Sequence, residues 1–221
     1  MLYLVPTPIG NLGDVTLRAI EVLKSADVIA CEDTRHSLRL LNHLEIRKPL
    51  VSYHEHNEAR RTEELMGRLR DGANIAIITD AGMPGISDPG HRLLRACIAG
   101  GIAYTVLPGP SAVLTALVGS AFPAESFFYG GFLPVKSGQR ERMVTEAAAR
   151  EVTSVYFESP YRLTKTLEVC AKVCPERALC VARELSKTFE EYRIGTGAEL
   201  LQHYTAHPPK GEIVFLMRPS E

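Results

Sequence analysis

The sequence carries no surplus of basic charge. Its 25 Lys and Arg residues stand against 26 Asp and Glu, a formal net charge of -1. Proteins that bind nucleic acid through bulk electrostatics are usually basic, so any RNA contact must use local patches, shape or a larger ribonucleoprotein surface. No apolar run approaches the roughly 18 residues needed to span a bilayer. The start, Met1–Pro6, lacks the basic segment of a signal peptide, and the chain is expected in the cytoplasm. The five cysteines, Cys31, Cys97, Cys170, Cys174 and Cys180, are odd in number and irregularly spaced, which argues against a disulfide framework. No C-x-x-C pair exists, and His54 and His56 flank Glu55 without the H-E-x-x-H spacing, so no metal is expected. No loop is a G-x-G-x-x-G or a G-x-x-x-x-G-K-[ST], and Ser111 does not sit in a G-x-S-x-G elbow. Dinucleotide, P-loop and hydrolase chemistry therefore lack their signatures. There is no internal repeat and no low-complexity stretch.

What is present is an ordinary globular composition, 45% hydrophobic and 23% charged over 221 residues. The first half alternates short apolar runs with helical patterns. Leu2–Val5, Val28–Ala30, Leu50–Tyr53, Ile75–Thr79 and Tyr104–Leu107 read as strands, with helices at about 14–26, 34–44, 57–71 and 89–100. In 57–71, Thr62, Leu65, Met66 and Leu69 form the apolar face. This alternation predicts an α/β domain with a mostly parallel sheet. In the second half, Val152–Glu158, Ala178–Glu184, Phe189–Gly195 and Ile213–Met217 read as strands. Helices are expected at about 138–150, 160–173 and 197–205, the last opened by a capping box of Thr196 and Glu199. The strands at 178–184 and 189–195 are too close for a crossover, so they form an antiparallel hairpin in a mixed sheet. The expected domains are 1–122 and 123–221.

The most informative segment is Thr79-Asp80-Ala81-Gly82-Met83-Pro84-Gly85-Ile86-Ser87-Asp88-Pro89-Gly90. It follows an apolar, hence central, strand and opens a helix, with Asp88 expected as N-cap and Pro89 at the first helical position. Glycines let backbone approach a ligand, and a helix start offers free N–H groups. Pro6–Asn11 and Pro108–Ala112 follow two other strands. Ligands of open α/β sheets bind beyond the carboxyl ends of strands, so the three loops are expected to form one lip.

Several segments together resemble a known family. Leu4–Leu12, Glu32-Asp33-Thr34-Arg35, the Asp80–Gly90 loop and Leu107–Ala112 occur in that order. Gly131–Pro134, Phe157–Arg162 and Ala182–Lys187 follow. The sequence is similar, from residue 2 to about 217, to the ribosomal RNA small subunit methyltransferase I family, cytidine 2'-O-ribose methyltransferases of the tetrapyrrole-methylase fold superfamily. Many members of that family continue past the last strand, whereas this sequence stops at Glu221. The resemblance implies a two-domain tetrapyrrole-methylase-like fold, S-adenosylmethionine held in the cleft between the domains, a homodimer, and ribosomal RNA or the small subunit as partner. The expected cofactor contacts are Pro8, Asp80, Ala81, Gly82, Pro84, Ile86, Ser87, Ser111 and Ala112, with Phe157 and Ala182 from the second domain.

Methyl transfer from a sulfonium is an in-line displacement, and a ribose hydroxyl needs positioning and a proton acceptor. The candidates are the carboxylates Asp33, Glu158 and Glu184, with Arg35 and Lys187 to fix a phosphate or ease formation of an alkoxide. A plainer reading makes Asp33–Arg35 and Glu184–Lys187 ion pairs that hold loops. A tetrapyrrole or other small-molecule methyltransferase, or a non-catalytic cofactor- or RNA-binding module, are the competing functions. Basic residues gathered at one mouth, among Arg35, Arg39, Lys136, Arg140, Arg142 and Arg162, would favour RNA.

Overall fold

Strands buried on both faces are apolar throughout, and two such runs stand at the centre of the first sheet. A computed structural model describes residues 1–220 and divides into two compact units, Met1–Ser111 and the chain from Ala112 onward. In the first unit β1 (Leu2–Leu4), β2 (Val28–Cys31), β3 (Leu50–Ser52), β4 (Ile75–Ile78) and β5 (Tyr104–Val106) form one sheet in the order β3-β2-β4-β1-β5. All its pairings are parallel, and β2 and β4 are buried at every position, as expected of a sheet covered on both sides.

Alternate residues of β4 feed two cores. Ala76 and Ile78 pack with Val22 and Leu23 of α1 (Leu17–Ser25) and Leu41 of α2 (Thr34–His43). Ile75 and Ile77 pack with Leu65 and Leu69 of α3 (Glu58–Arg70) and Leu93 and Cys97 of α4 (His91–Ala99). The whole expected face of α3, Thr62, Leu65, Met66 and Leu69, is buried. α1 starts later than its pattern predicted. A 3-10 turn at Leu12–Asp14 comes first, and the Thr16 side chain then caps the helix by accepting from Ala19 N at 3.0 Å.

The second unit holds α5 (Ala112–Gly119), β6 (Phe127–Phe132), α6 (Ser137–Ala148), β7 (Thr153–Glu158), α7 (Leu163–Val173), β8 (Leu179–Arg183), β9 (Glu191–Gly195), α8 (Gly197–Ala206) and β10 (Ile213–Met217). The sheet order is β6-β7-β10-β8-β9, with β6–β7 parallel and the rest antiparallel. The predicted β8–β9 hairpin and the Thr196–Glu199 capping box are both present. Ile213, Phe215 and Met217 face a core shared with Val144, Leu167 and Leu200 of α6, α7 and α8. α5 packs on β10 and β7 and therefore belongs to the second unit. The break falls between Ser111 and Ala112, not after residue 122 where the sequence pattern suggests it. All five cysteines are free and buried. No helix of the described residues is long and apolar enough to cross a membrane.

Candidate functional site in the strand-end loops

The sheet order decides where a ligand can enter the first unit. The chain leaves β1 towards β2 and leaves β4 towards β5, so the connections from these adjacent central strands run in opposite directions. A crevice for ligands lies at such a reversal. The loops at its edge are tied to each other through backbone. Thr7 and Gly82 exchange two hydrogen bonds of 3.0 Å, and the Thr7 hydroxyl donates to Thr79 O at 2.9 Å. Gly82 has φ +83°, and a Cβ there would lie 3.4 Å from Ile9 Cγ2 and 3.7 Å from Pro110 O. A Cβ on Gly109 would lie 2.7 Å from Pro6 Cβ, so the third loop rests directly on the first. The loops after β1, β4 and β5 thus converge on Gly82, the lip expected from the sequence.

Small residues keep this lip open. Pro8, Asp80, Ala81 and Ser111 are half-buried in it, and Ile86 and Ser87 are exposed beyond it. Ser87 is held at φ 62° and Gly85 at φ 83°, so the second half of the loop curls back tightly. One expectation fails at its end. Asp88 does not cap α4. Gly90, at φ 136°, is the N-cap and the helix begins at His91, because the turn needed there is open only to glycine.

Asp88 is instead half-buried beside two other carboxylates. Burial, then the neighbouring charges of Glu32 and Asp80, push its carboxyl up to about 6, partly offset by the Thr79 hydroxyl. Glu32 is also raised, first by burial and then by Asp80. Asp80 accepts from Asp33 N at 3.4 Å, which links the ends of the neighbouring strands β2 and β4. Sequence reasoning missed the grouping of Glu32 and Asp88 with Asp80. Strand order was the signal that could have found it, since only adjacency of β2 and β4 brings the three together.

The remaining candidates separate by how their charges are used. Asp33 caps α2 by accepting from Arg35 N at 2.8 Å, and that backbone bond holds its carboxyl below the usual range. Its partner Arg35 lies 3.7 Å away with a side chain 91% exposed, so the guanidinium is open to a ligand. Glu158 is fully buried. Its Oε1 accepts from Arg162 at 2.9 Å and Ser159 N at 2.7 Å, and its Oε2 accepts from the Thr166 hydroxyl, leaving it committed to the β7–α7 turn.

The Glu184–Lys187 pair closes a turn as well. Lys187 Nζ donates to Glu184 and Glu212 at 2.8 Å each, and Glu212 N donates to Glu184 at 2.9 Å. Burial raises Glu184, but the ammonium and the amide outweigh it and hold it below its usual range. Burial lowers Lys187, and its two carboxylates outweigh that in turn. Glu184 and Ser186 sit at φ 51° and 66°, the backbone of a tight turn held by this pair. Ala182 lies in β8 between β10 and β9 with no exposed surface. Phe157 is half-buried against Phe132 and Tyr129, and Ala112 is half-buried at the start of α5.

Of the basic residues whose gathering at one mouth would favour RNA, two are spent on structure. Arg140 is buried and donates to Pro134 O and Val135 O, and Arg162 is spent on Glu158 and Leu133 O. Among the described residues no group of three or more His, Cys, Asp or Glu side chains is arranged to hold a metal ion.

The sequence profile of the Tetrapyrrole (Corrin/Porphyrin) Methylases matches residues 1–201. A "Ribosomal RNA small subunit methyltransferase I" of Mesorhizobium japonicum is 48% identical over 100% of this chain and 76% of its own length. Proteins of the same name are 44% identical in Synechocystis, over 98% and 78%, and 40% identical in Thermotoga maritima, over 100% and 99%. The chain belongs to the ribosomal RNA small subunit methyltransferase I family of tetrapyrrole methylases. Two solved structures share the fold at low identity. The methyltransferase CobJ has a TM-score of 0.72 at 18% identity, covering 99% of this chain and 94% of that one. The uroporphyrin-III-C-methyltransferase of Thermus thermophilus has 0.67 at 22%, covering 98% and 93%.

Membership makes the chain an S-adenosylmethionine-dependent methyltransferase. The first unit's lip fits that methyl donor. Its loops are lined by small residues, and Asp80 and Glu32 offer carboxylates to a ligand that carries positive charge on sulfur and on an amino group.

Proposed function

We propose that this methyltransferase modifies the 2'-hydroxyl of a cytidine ribose in small-subunit ribosomal RNA, acting in the cytoplasm as a homodimer. The observation that carries the reading is 40–48% identity along the whole chain to relatives named for that RNA. The donor supplies a methyl group on a cationic sulfur. Pro8, Asp80, Ala81, Gly82, Pro84, Ile86, Ser87 and Ser111 of the first unit are the proposed contacts for it. Calorimetry should report binding, and saturating donor should raise the melting temperature by mass action. No heat and no melting shift at millimolar concentration would sink this assignment.

The chain's own contribution to chemistry is positioning and proton transfer. Arg35, exposed beyond the end of β2, is placed to take a phosphate of the RNA strand. Asp33 is a weak base, because its charge is already stabilised by a backbone N–H. Asp88 is better matched to accept the ribose proton, since an effective base has a pKa near the working pH. The Glu184–Lys187 pair and Glu158 act by holding turns. Asp88→Asn should lower kcat by about 10²-fold with donor affinity retained, the scale of general-base help. Unchanged turnover would remove Asp88 from the mechanism.

The deciding assay for substrate compares labelled-methyl transfer to free ribosomal RNA, small subunits and a tetrapyrrole. Transfer to the tetrapyrrole alone overturns the RNA reading, and mapping the methyl to a base overturns the ribose assignment. Light scattering should give twice the chain mass, and a monomer across the micromolar range refutes the dimer.

A further inference from the structure

A cavity of about 590 Å³ opens where the Thr79–Gly90 loop runs into α4, lined by Glu58, Asp88, Gly90, His91, Arg92 and Arg95 among others. Its size is that of a small-molecule site. The cationic wall is one face of α4. His91 and Arg95 are four residues apart, Arg92 and Arg95 three, and all three are exposed while Leu93 and Cys97 are sealed in the core. Among the described residues neither arginine makes an ion pair or a side-chain hydrogen bond, although Glu58 and Asp88 line the same cavity. Like charges at this helical spacing repel, so two adjacent guanidinium groups are unfavourable until an anion arrives. Arginine's planar fork is suited to phosphate oxygens.

The carboxylates narrow the ligand further. A bare phosphate would meet Glu58 and Asp88 as well as the arginines, and the two signs would largely cancel. A ligand with an anionic end and a hydrogen-bond-donating end satisfies both walls. A ribonucleotide is of that kind, with a phosphate at one end and sugar hydroxyls or an exocyclic amine at the other. We propose that this cavity seats one nucleotide of the substrate RNA, its phosphate on Arg92 and Arg95 and its donor groups towards Asp88 and Glu58. The inference deepens the proposed function and rests on it. The same loop carries Asp80–Gly82 at the lip, so a nucleotide held here is delivered to the donor side of the unit.

The test is direct binding of a short single-stranded RNA of small-subunit sequence, read by fluorescence anisotropy over a salt series. Arg92→Ala/Arg95→Ala should bind about tenfold or more weakly, and the slope of log Kd against log salt should fall by about 0.7 for each phosphate that the variant no longer neutralises. Arg18→Ala/Lys24→Ala removes the same charge from α1, whose core lies on the opposite face of the sheet, and should bind as wild type. Donor affinity and melting temperature show whether the double variant is folded with its lip intact. Cytidine monophosphate should displace the RNA at lower concentration than inorganic phosphate. Equal weakening in the α1 control, an unchanged slope in the α4 variant, or equal displacement by phosphate each overturns the nucleotide seat. A wild type that binds RNA through Arg92 and Arg95 yet methylates none overturns only the proposed function. One that binds no RNA overturns the nucleotide seat, while methyl transfer to small subunits decides the proposed function separately.

Discussion

The two units place their conspicuous motifs at strand ends and hold them by different means. In the first unit the loops after β1, β4 and β5 are joined through backbone: the Thr7–Gly82 bridge, the Thr7 hydroxyl on Thr79 O, and the Pro6–Gly109 contact. Side chains of the lip remain small. In the second unit the Phe157–Arg162 and Ala182–Lys187 segments spend their charged side chains on one another. Glu158 binds Arg162, Ser159 and Thr166, and Lys187 bridges Glu184 and Glu212. Charged motif residues therefore mean different things in the two halves. Where backbone already fixes a loop, a carboxylate such as Asp80 or Asp88 carries no ion pair among the described residues. Where ion pairs fix it, the carboxylate is already used.

The sharpest way to break that contrast is Glu158→Ala. It leaves Arg162 half-buried without its counter-charge and Thr166 without its acceptor, a destabilisation of about 3–5 kcal/mol for a broken buried pair. The urea midpoint should drop accordingly, while kcat per folded molecule stays near wild type. A collapse of kcat at full stability would restore Glu158 to the chemistry. Gly109→Ala is the counterpart in the first unit. The new methyl would press on the rigid Pro6 ring, costing about 1–3 kcal/mol and displacing the first loop. Here activity should suffer more than stability, by about 10²-fold, the scale of an ångström displacement in a reacting site. Donor affinity measured by calorimetry should fall with it. An unperturbed affinity would mean that the loop convergence does not form the donor site.

Much of this was legible because the governing patterns are local. The face of α3, the β8–β9 hairpin and the Thr196–Glu199 box follow from spacing alone. Two elements were not legible for equally physical reasons. α5 reads Ala-Val-Leu-Thr-Ala-Leu-Val-Gly, apolar nearly all round, so no 3.6-residue alternation marks it. β6 is interrupted by Gly130 and Gly131 at an irregularity in its pairing with β7. Gly130 is needed because any Cβ there would run into the Tyr156 ring. At the site, the positions of the loops were readable, but the state of the charges was not. Whether a carboxylate is spent or available depends on partners distant in sequence, such as Glu212 for Lys187 or Thr166 for Glu158.

A milder probe of the same contrast is Lys187→Ala. It frees Glu184 and Glu212 from a partly exposed pair, for which about 1 kcal/mol or less is expected. If the pair only closes the turn, kcat and KM stay near wild type while the melting temperature slips. A large drop in kcat with unchanged melting would return Lys187 to a direct role in methyl transfer.

The smallest effect concerns Asp88 and reverses the usual behaviour of a carboxylate. Its folded value, about 6, lies above that of an unfolded aspartate, so between these values the native state binds the proton and the unfolded chain does not. Stability linked to Asp88 therefore falls as pH rises through 6 and is regained on acidification, down to the pH where the unfolded aspartate also protonates. Asp33 and Glu184, held below their usual values, push the other way and lose stability at low pH. The net profile mixes these, and Glu32 and Asp80 beside Asp88 add their own repulsion. Comparing wild type with Asp88→Asn isolates the group. The asparagine variant should melt slightly higher than wild type above pH 7, and the gap should close as pH falls below 6. A gap that widens on acidification would mean that Asp88 is paired and held low, in which case it could serve neither as the proton acceptor nor as the polar wall of the nucleotide seat.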